Sequence, residues 1–446
     1  MATATEAHAR ASEMIRALRL RGHSAYLVGG CVRDLLLGVE PKDFDVATSA
    51  RPDEILALFP HGDRVGAHFG VILVDGVEVA TFRSDFDYRD GRRPERVSFE
   101  TDPRQDALRR DFTVNAMMLD PESGQVLDFV GGRDDLARRV VRAVGDPETR
   151  FAEDHLRMLR GVRFAARLGF AMDADTGKAI RLHAASIHSI SPERIRAELD
   201  RILTEGGARP GLELLDDTGL LDALLPEVAA MKGVAQPPEF HPEGDVWIHT
   251  RMMLEAMGKP SLALAWAVLL HDVAKPPTFR VADRIRFDGH AELGAKMAVE
   301  ILSRLRASNE TIERVHDLVA HHLRFKDIRQ MRESTLKRFL RMDGFDEHLE
   351  LHRLDCSSSH GLLGNWEFAR AKLAELPAAA LTPPRLLRGE DLMAQGFVAG
   401  PAFRKMLDAV ETAQLEGEVS TREHALALVL ERFEPPDGRD RQYEAS

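Results

Sequence analysis

The sequence predicts an α+β fold: a small mixed-sheet head followed by all-α regions. Three observations predict it. Short apolar runs broken by Gly-Gly and Asp-Gly fall within roughly the first 130 residues. Beyond about residue 150, apolar residues recur at helical spacing. The stretch 231–243 is rich in Pro and Gly and reads as a linker. At 446 residues the chain holds more than one domain, with expected divisions 1–148, 149–235, 244–360 and 361–446.

Composition narrows the class. Hydrophobic residues make up 44% and charged residues 30%, ordinary for a globular protein. No apolar run reaches membrane-span length, and the first ten residues lack the apolar core of a secretory signal. Two cysteines, Cys31 and Cys356, imply no disulfide framework. These features together point to the cytoplasm and to no membrane partner. The net charge of −12 weighs against a nucleic-acid binder, but a local basic patch overrides overall charge. Residues 150–209 hold more Lys and Arg than Asp and Glu, so the acid lies elsewhere.

Residues 5–21 pattern as an amphipathic helix with Ala7, Ala11, Ile15 and Leu18 on one side. Tyr26 to Val28 reads as a strand, followed at once by Gly29 and Gly30. Paired glycines there let the backbone approach a phosphate and present N–H groups to it. Val32 to Leu37 is a short helix with Arg33 on its first turn, stopped by Gly38 and Pro41. The chain returns as a strand carrying Asp43 and Asp45, which alternation places on one face. Two carboxylates beside a phosphate-cradling turn suit magnesium. Arg51 to Leu58 is a further helix. Val71–Val74 and residues 77–83 flank Asp75-Gly76 as a hairpin, which brings Glu78 beside the Asp43/Asp45 strand if the sheet is mixed. Alone, Glu78 reads as an exposed strand residue. Residues 83–104 are polar and irregular, and long irregular stretches inside compact domains are usually functional or disordered.

The joint pattern Gly-Gly-x-Val-Arg-Asp-x-Leu-Leu-Gly with Pro-x-Asp-x-Asp resembles the class II nucleotidyltransferases, which include tRNA CCA-adding enzymes and bacterial poly(A) polymerases. The resemblance implies that Glu78, in Glu-x-x-Thr-Phe-Arg, completes the magnesium site of Asp43 and Asp45. It implies that 83–104 is a flexible loop that reshapes the site between additions. Arg109-Arg110-Asp111-Phe112-Thr113-Val114-Asn115-Ala116 has the form of the family's second motif. Arg110 there contacts the triphosphate through a guanidinium fork, with Asp111 and Asn115 in the nucleotide site. Asp128 to Leu136 is similar to the hinge-like third motif, a turn into a helix.

Glu153 to Phe164 reads as a helix with Met158, Val162, Ala165 and Ala166 on its apolar side. Arg157, Arg160 and Arg163 form a band opposite, which by itself is most simply a solvated face. Cytosine and adenine each carry an exocyclic amine beside a ring-nitrogen acceptor. Asp154 can accept from that amine, and Arg157, three residues on, can donate to the acceptor. Guanine and uracil present a carbonyl instead and leave Asp154 unpaired, at a cost of about 1–3 kcal/mol. The resemblance implies this role for Glu-Asp-x-x-Arg, and triphosphate contacts for Gly30, Arg33, Arg160 and Arg163. Residues 171–235 are helical. Ser191-Pro192 starts a helix to about Thr204, similar to the family's RNA-placing neck.

A second constellation follows: His249, then His271-Asp272 closing the apolar helix Leu262–Leu270, then His290, His321-His322 and Asp355. Imidazole and carboxylate are good ligands for borderline divalent metals. The order resembles HD-type metal phosphohydrolases, with His249, His271, Asp272, His290, His322 and Asp355 as the implied ligands. Whether His321 or His322 ligates, and whether one metal binds or two, is open in the sequence. Residues 361–434 are again helical, Pro435 to Gly438 ends the last helix, and the tail to Ser446 should fray.

The resemblances span about residues 20–360. They imply a tRNA nucleotidyltransferase that adds C and A from CTP and ATP with magnesium and no nucleic-acid template. They also imply an HD region able to take nickel, cobalt or manganese for phosphoester hydrolysis. CC-only or A-only addition, poly(A) polymerase activity, and a phosphohydrolase with an RNA-binding head are the alternatives. Oligomeric state has no signature in the sequence.

Overall fold

The computed structural model describes residues 4–66, 70–88 and 94–433. Helix α1 (Ala4–Leu20) precedes strand β1 (Ala25–Val28), α2 (Gly30–Leu36), β2 (Asp45–Thr48) and α3 (Pro52–Leu58). Strands β3 (Asp63–Gly66), β4 (Val71–Val74), β5 (Val77–Thr81), β6 (Arg83–Tyr88) and β7 (Pro94–Phe99) follow. Then come α4 (Pro103–Leu108), β8 (Met118–Leu119), β9 (Val126–Leu127) and α5 (Gly132–Arg138). One seven-stranded mixed sheet runs in the order β3-β4-β5-β2-β1-β8-β9. The β2–β5 pair is parallel and its flanking pairs are antiparallel. Ala11, Ile15 and Leu18 of α1 are fully buried against the head core, as their spacing requires. Asp75 and Gly76 both take positive φ, the two-residue turn whose twist matches a hairpin.

Several expectations are corrected. Asp43 lies in the loop ahead of β2, so only Asp45 is on the strand. The strand expected over 77–83 divides at Phe82, and β3 has no counterpart in the sequence reading. The polar stretch 83–104 is not irregular: β6 and β7 pair antiparallel from Arg83↔Phe99 to Tyr88↔Pro94, and α4 follows. Arg83, Asp85 and Asp87 do alternate with Ser84, Phe86 and Tyr88, but the charge of the stretch reads as loop, while strand pairing needs only backbone groups. Its tip, 89–93, lies outside the described residues.

The remainder is nearly all helical: α6 (Pro147–Glu153), α7 (Leu156–Leu168), α8 (Ala174–His183), α9 (Pro192–Thr204), α10 (Ala208–Asp217), α11 (Leu220–Leu224) and α12 (Pro226–Ala229). After the 231–243 stretch come α13 (Val246–Ala256), α14 (Leu262–Leu270), α15 (Lys275–Thr278), α16 (His290–Arg304), α17 (Asn309–His321), α18 (Glu333–Leu340) and α19 (Phe345–Ser357). Five more helices run from Gly364 to Arg432, and the expected stop at Pro435 and the tail lie outside the described residues. Proline starts α9 as expected, but the Ser191 side chain makes no cap hydrogen bond. A continuous core joins the head to the helices through Leu354, and a separate core serves 387–429. Among the described residues no helix is long and apolar enough to cross a membrane.

Two differences fall at the expected base-reading helix. Asp154 is not on it: its backbone is extended, at the break between α6 and α7. The arginine band is not a solvated face either. Residues Leu156 to Ala166 are buried except Arg160: Glu198 of α9 covers Arg163, and Glu153 with the Arg109 and Arg150 carbonyls encloses Arg157.

Candidate functional site

The head site is built around Gly29. Its φ of 81° is glycine territory, and it joins β1 to α2 in the turn expected to cradle phosphate. A Cβ at Gly29 would lie 3.5 Å from Arg110 Nη1 and 3.8 Å from Asp45 Oδ2. The turn therefore sits between a guanidinium and a carboxylate. The β2–β5 register pairs Val46 with Val79, which puts Asp45 and Glu78 on neighbouring positions. Burial, then the nearby Glu78 carboxylate, pushes the Asp45 carboxyl up to about 6; Asp43 adds to this and Arg110 opposes it. A carboxylate pushed up by neighbouring carboxylates marks a negative site suited to a cation.

Each arginine expected at the nucleotide has an acid of its own. Arg33 is buried, donates from Nε and Nη2 to Asp34 Oδ1 (2.8 and 2.6 Å), and reaches Asn115 Oδ1 from Nη1 (2.6 Å). Arg110 donates to Asp106 Oδ2 from Nε and Nη2 (3.2 and 2.9 Å), leaving Nη1 beside Gly29. Arg160 pairs with Asp111 (2.7 Å) and Arg163 with Glu198 (2.6 Å). Arg157 Nη1 donates to Glu153 (2.5 Å) and to the Arg150 carbonyl, and Nη2 to the Arg109 carbonyl. The structure thus gathers Arg33, Arg110, Asn115, Asp111 and Arg160 into one region and ties Arg163 into the interior. Arg33, Arg160 and Arg163 all stand over the Phe164 ring, at 5.6, 5.4 and 4.3 Å from its centre. Asp154 Oδ1 accepts from the Leu156 N–H (3.1 Å), and Oδ2 lies 3.5 Å from Arg194 Nη2.

Asp106, Glu198 and Arg194 were not singled out from sequence, and Glu153 only as the first residue of Glu-Asp-x-x-Arg. Two carried a signal: Asp106 stands four residues before Arg110, and Glu153 four before Arg157, the spacing of helical ion pairs. Glu198 and Arg194 come from α9, and nothing local marks them.

The second site lies where α13, α14, α16, α17 and α19 converge. His249, His271, Asp272, His290 and His322 are all buried. His271, His290 and His322 each use Nδ1 on the carbonyl three residues earlier, at 3.0, 2.7 and 2.7 Å. That bond fixes Nδ1 as the donor and leaves Nε2 as the ligating nitrogen. His249, His271 and Asp355 place ligand atoms within 4.8 Å of one another, and so do Asp272, His290 and His322. His322 rather than His321 belongs to the cluster; His321 turns toward His348. His249 Nε2, His271 Nε2 and His290 Nε2 are buried without an aligned hydrogen-bond partner. Unpaired buried nitrogens are costly, and a cation resolves the cost. Burial holds His322 down, to about 4, with the His271 charge adding to it, so its imidazole is neutral as a ligand should be. Burial works against a charged His249, but Asp355 and Glu243 outweigh it and push it up to about 9. The clusters open on a cavity of about 740 Å³ whose walls include Lys275, Arg284, Lys326, Phe240 and Phe287.

With this geometry in hand, comparison with known proteins gives three family matches in chain order. Residues 25–142 match the poly A polymerase head domain, 169–232 the probable RNA and SrmB-binding site of polymerase A, and 245–354 the HD domain. The CCA-adding enzyme of Geobacillus stearothermophilus is 34% identical over 430 residues, 94% of this chain and 96% of that one. The CCA-adding enzyme of Anoxybacillus flavithermus is 31% identical over 426 residues, covering 94% and 95%. The crystal structure of the Bacillus stearothermophilus CCA-adding enzyme in complex with CTP superposes with a TM-score of 0.73 at 29% identity, covering 97% of this chain and 98% of that one. The Thermotoga maritima CCA-adding enzyme complexed with tRNA shares the fold, at a TM-score of 0.57 and 18% identity over 95% of this chain and 94% of that one.

Proposed function

The chain belongs to the family of CCA-adding enzymes, and from that premise we propose that it extends tRNA 3′ ends with C and A from CTP and ATP. It works without a nucleic-acid template and releases pyrophosphate. The observation that carries the reading is the Gly29 turn, held between the Asp45 carboxylate and the free Nη1 of Arg110.

This chemistry is dependent on a divalent metal, and we assign magnesium to Asp43, Asp45 and Glu78. Their mutual repulsion at Asp45 fits a cation. Bound magnesium would stabilise the attacking and leaving oxygens. The protein's own groups do the rest. Arg110 Nη1 and the Gly29–Gly30 backbone face the triphosphate, and Arg33 and Arg160 add positive charge held in place by Asp34 and Asp111. A carboxylate oxygen has two lone pairs, so Asp154 can take the exocyclic amine of C or A while Oδ1 keeps the Leu156 N–H. Arg157 supplies the donor to the ring nitrogen. Head (1–148), neck (149–235), HD region (244–360) and tail (361–446) are the working divisions. Free thiols at Cys31 and Cys356 suit the cytoplasm. The test is direct: purified enzyme, tRNA ending before CCA, and each labelled nucleotide alone and together. Sequential C, C and A supports the assignment; a strand of A alone would make it a poly(A) polymerase.

A second activity is favoured by the unpaired nitrogens of the HD site. His249, His271, Asp272, His290, His322 and Asp355 would hold one or two transition-metal ions. Such an ion lowers the pKa of its water and supplies a nucleophile for phosphoester hydrolysis. Cations Lys275, Arg284 and Lys326 in the cavity wall suit a phosphorylated substrate such as an RNA terminal phosphate. Metal analysis of the purified protein decides whether the site loads.

A further inference from the structure

The stretch between neck and HD region, read from sequence as a connector, carries two side chains into the HD site. Glu243 is nearly fully buried, and its Oε1 accepts from His241 Nδ1 at 2.8 Å. The same oxygen lies 2.8 Å from His249 Nδ1, while His249 Nε2 lies 3.2 Å from Asp355 Oδ1. The two nitrogens of His249 therefore face two different carboxylates. The one toward Asp355 is in the ligand cluster with His271; the other faces Glu243, and His241, Glu243 and His249 also bring ligand atoms within 4.8 Å of one another. His241 stands edge-on to the His249 ring, 5.1 Å between centres, and lines the cavity beside Asp272, His290 and His322.

The other three histidines fix their tautomer with a backbone carbonyl three residues back. His249 cannot: it sits in the first turn of α13, and the Val246 carbonyl three residues back accepts the Thr250 hydroxyl at 2.9 Å as well as belonging to the helix ladder. It needs a side-chain acceptor from outside its helix, and Glu243 is the carboxylate at the right distance. Resting on the metal-site reading above, we propose that Glu243 is the outer carboxylate that holds Nδ1 of His249 protonated, so that Nε2 is the ligand, and that it also pins His241 at the cavity wall. The connector thus completes a metal centre otherwise built by helices α13 to α19. Carboxylates in this relation to a ligating histidine typically contribute about 10–100-fold in metal affinity.

The test uses the full chain and cobalt(II) alone as the probe. Affinity is read by competition with a chelator, and the visible absorption of the bound ion reports its ligand field. Thermal unfolding of the metal-free forms controls for folding. Glu243→Gln should weaken cobalt binding about 10–100-fold and alter the absorption, with metal-free unfolding near wild type. Glu243→Asp, which keeps the charge, should recover part of the loss. If the wild type binds cobalt and Glu243→Gln binds it equally well, the role of Glu243 is overturned while the metal site stands. If the wild type binds no transition metal, the site reading falls and this inference with it.

Discussion

Asp106 is the acid whose loss should tell most about the head. It sits in α4, is 1% exposed, and takes both neighbouring arginines, Arg109 at 2.6 Å and Arg110 at 2.9 Å. Its grip on Nε and Nη2 leaves Arg110 Nη1 as the nitrogen beside Gly29. Asp106→Asn keeps the shape but removes the charge and sets an amide N–H against a guanidinium. A hydrogen bond to a charged group contributes about 1.5–3 kcal/mol, and breaking a buried pair costs up to about 3–5 kcal/mol. Part of that cost is stability. The part that reaches the nucleotide, about 1.4–2.8 kcal/mol, is roughly a 10–100-fold rise in KM. The rise should be equal for CTP and ATP, because the role proposed for Arg110 is at the triphosphate and not at the base. The assay is single-nucleotide addition to tRNA lacking its last residues, with KM and kcat separated and unfolding followed beside it. Burial alone would raise the Asp106 carboxyl, but Arg110 and Arg109 outweigh it and hold it below the usual range. Its stabilisation is therefore present above the unfolded-state pKa, near 4, and lost as pH falls through the lower folded value. The Tm gap between wild type and variant should narrow in that acid window. An unchanged KM with a lowered Tm would refute the positioning argument. Unequal effects on CTP and ATP would move Arg110 from phosphate to base.

Three further outcomes follow from the same geometry. Asp43→Ala should abolish C and A addition alike while tRNA binding by filter retention stays near wild type, since the carboxylate acts on the metal; survival of either activity would divide the site in two. Asp154→Ala should let UTP and GTP compete, narrowing discrimination about five- to 100-fold by the cost of an unpaired buried group; lost rate with unchanged selectivity would make Asp154 structural, through its bond to the Leu156 N–H. His271→Ala with Asp272→Ala should remove bound transition metal and any 2′,3′-cyclic phosphate hydrolysis and spare C addition, read by metal analysis and product gels; metal content equal to wild type would exclude these two as ligands.

Much of the head could be read from its residues because its signals are local. Gly-Gly after an apolar run, Asp-Gly between two others, and Arg-Arg-Asp-Phe-Thr are short patterns tied to turns and ion pairs. The structure keeps them in place. What escaped was non-local. The arginines of α7 pattern as a solvated band until α9 is laid over them, and only then does Glu198 become the partner of Arg163. β6 and β7 are polar strands joined by backbone pairing, and the short alternation of charge with Phe86 and Tyr88 is outweighed by the polar content around it. The stretch holding His241 and Glu243 has the Pro and Gly content of a connector. Its contribution depends on which cavity it lies against.

The pairing of arginines with acids also explains how a site this rich in positive charge can exist before substrate arrives. Arg33, Arg110, Arg157, Arg160 and Arg163 would repel one another if left alone. Asp34, Asp106, Glu153, Asp111 and Glu198 each pair with one of them and orient it, Asp106 holding Arg109 and Glu153 holding Arg150 as well. Burial works against the Asp111 charge, but Arg160 outweighs it and holds the carboxyl below its usual range, so that acid stays ionised at neutral pH. An arginine so held loses little side-chain freedom when a phosphate docks, because its rotamer is already fixed. The same logic bears on template-free selection. With the donors fixed by protein groups, C and A need only present an amine and a ring nitrogen in the right places. In the proposed reading, U and G would set a carbonyl against the partly exposed Asp154 carboxylate, and the fixed frame of Asp154 and Arg157 would disfavour them for that reason.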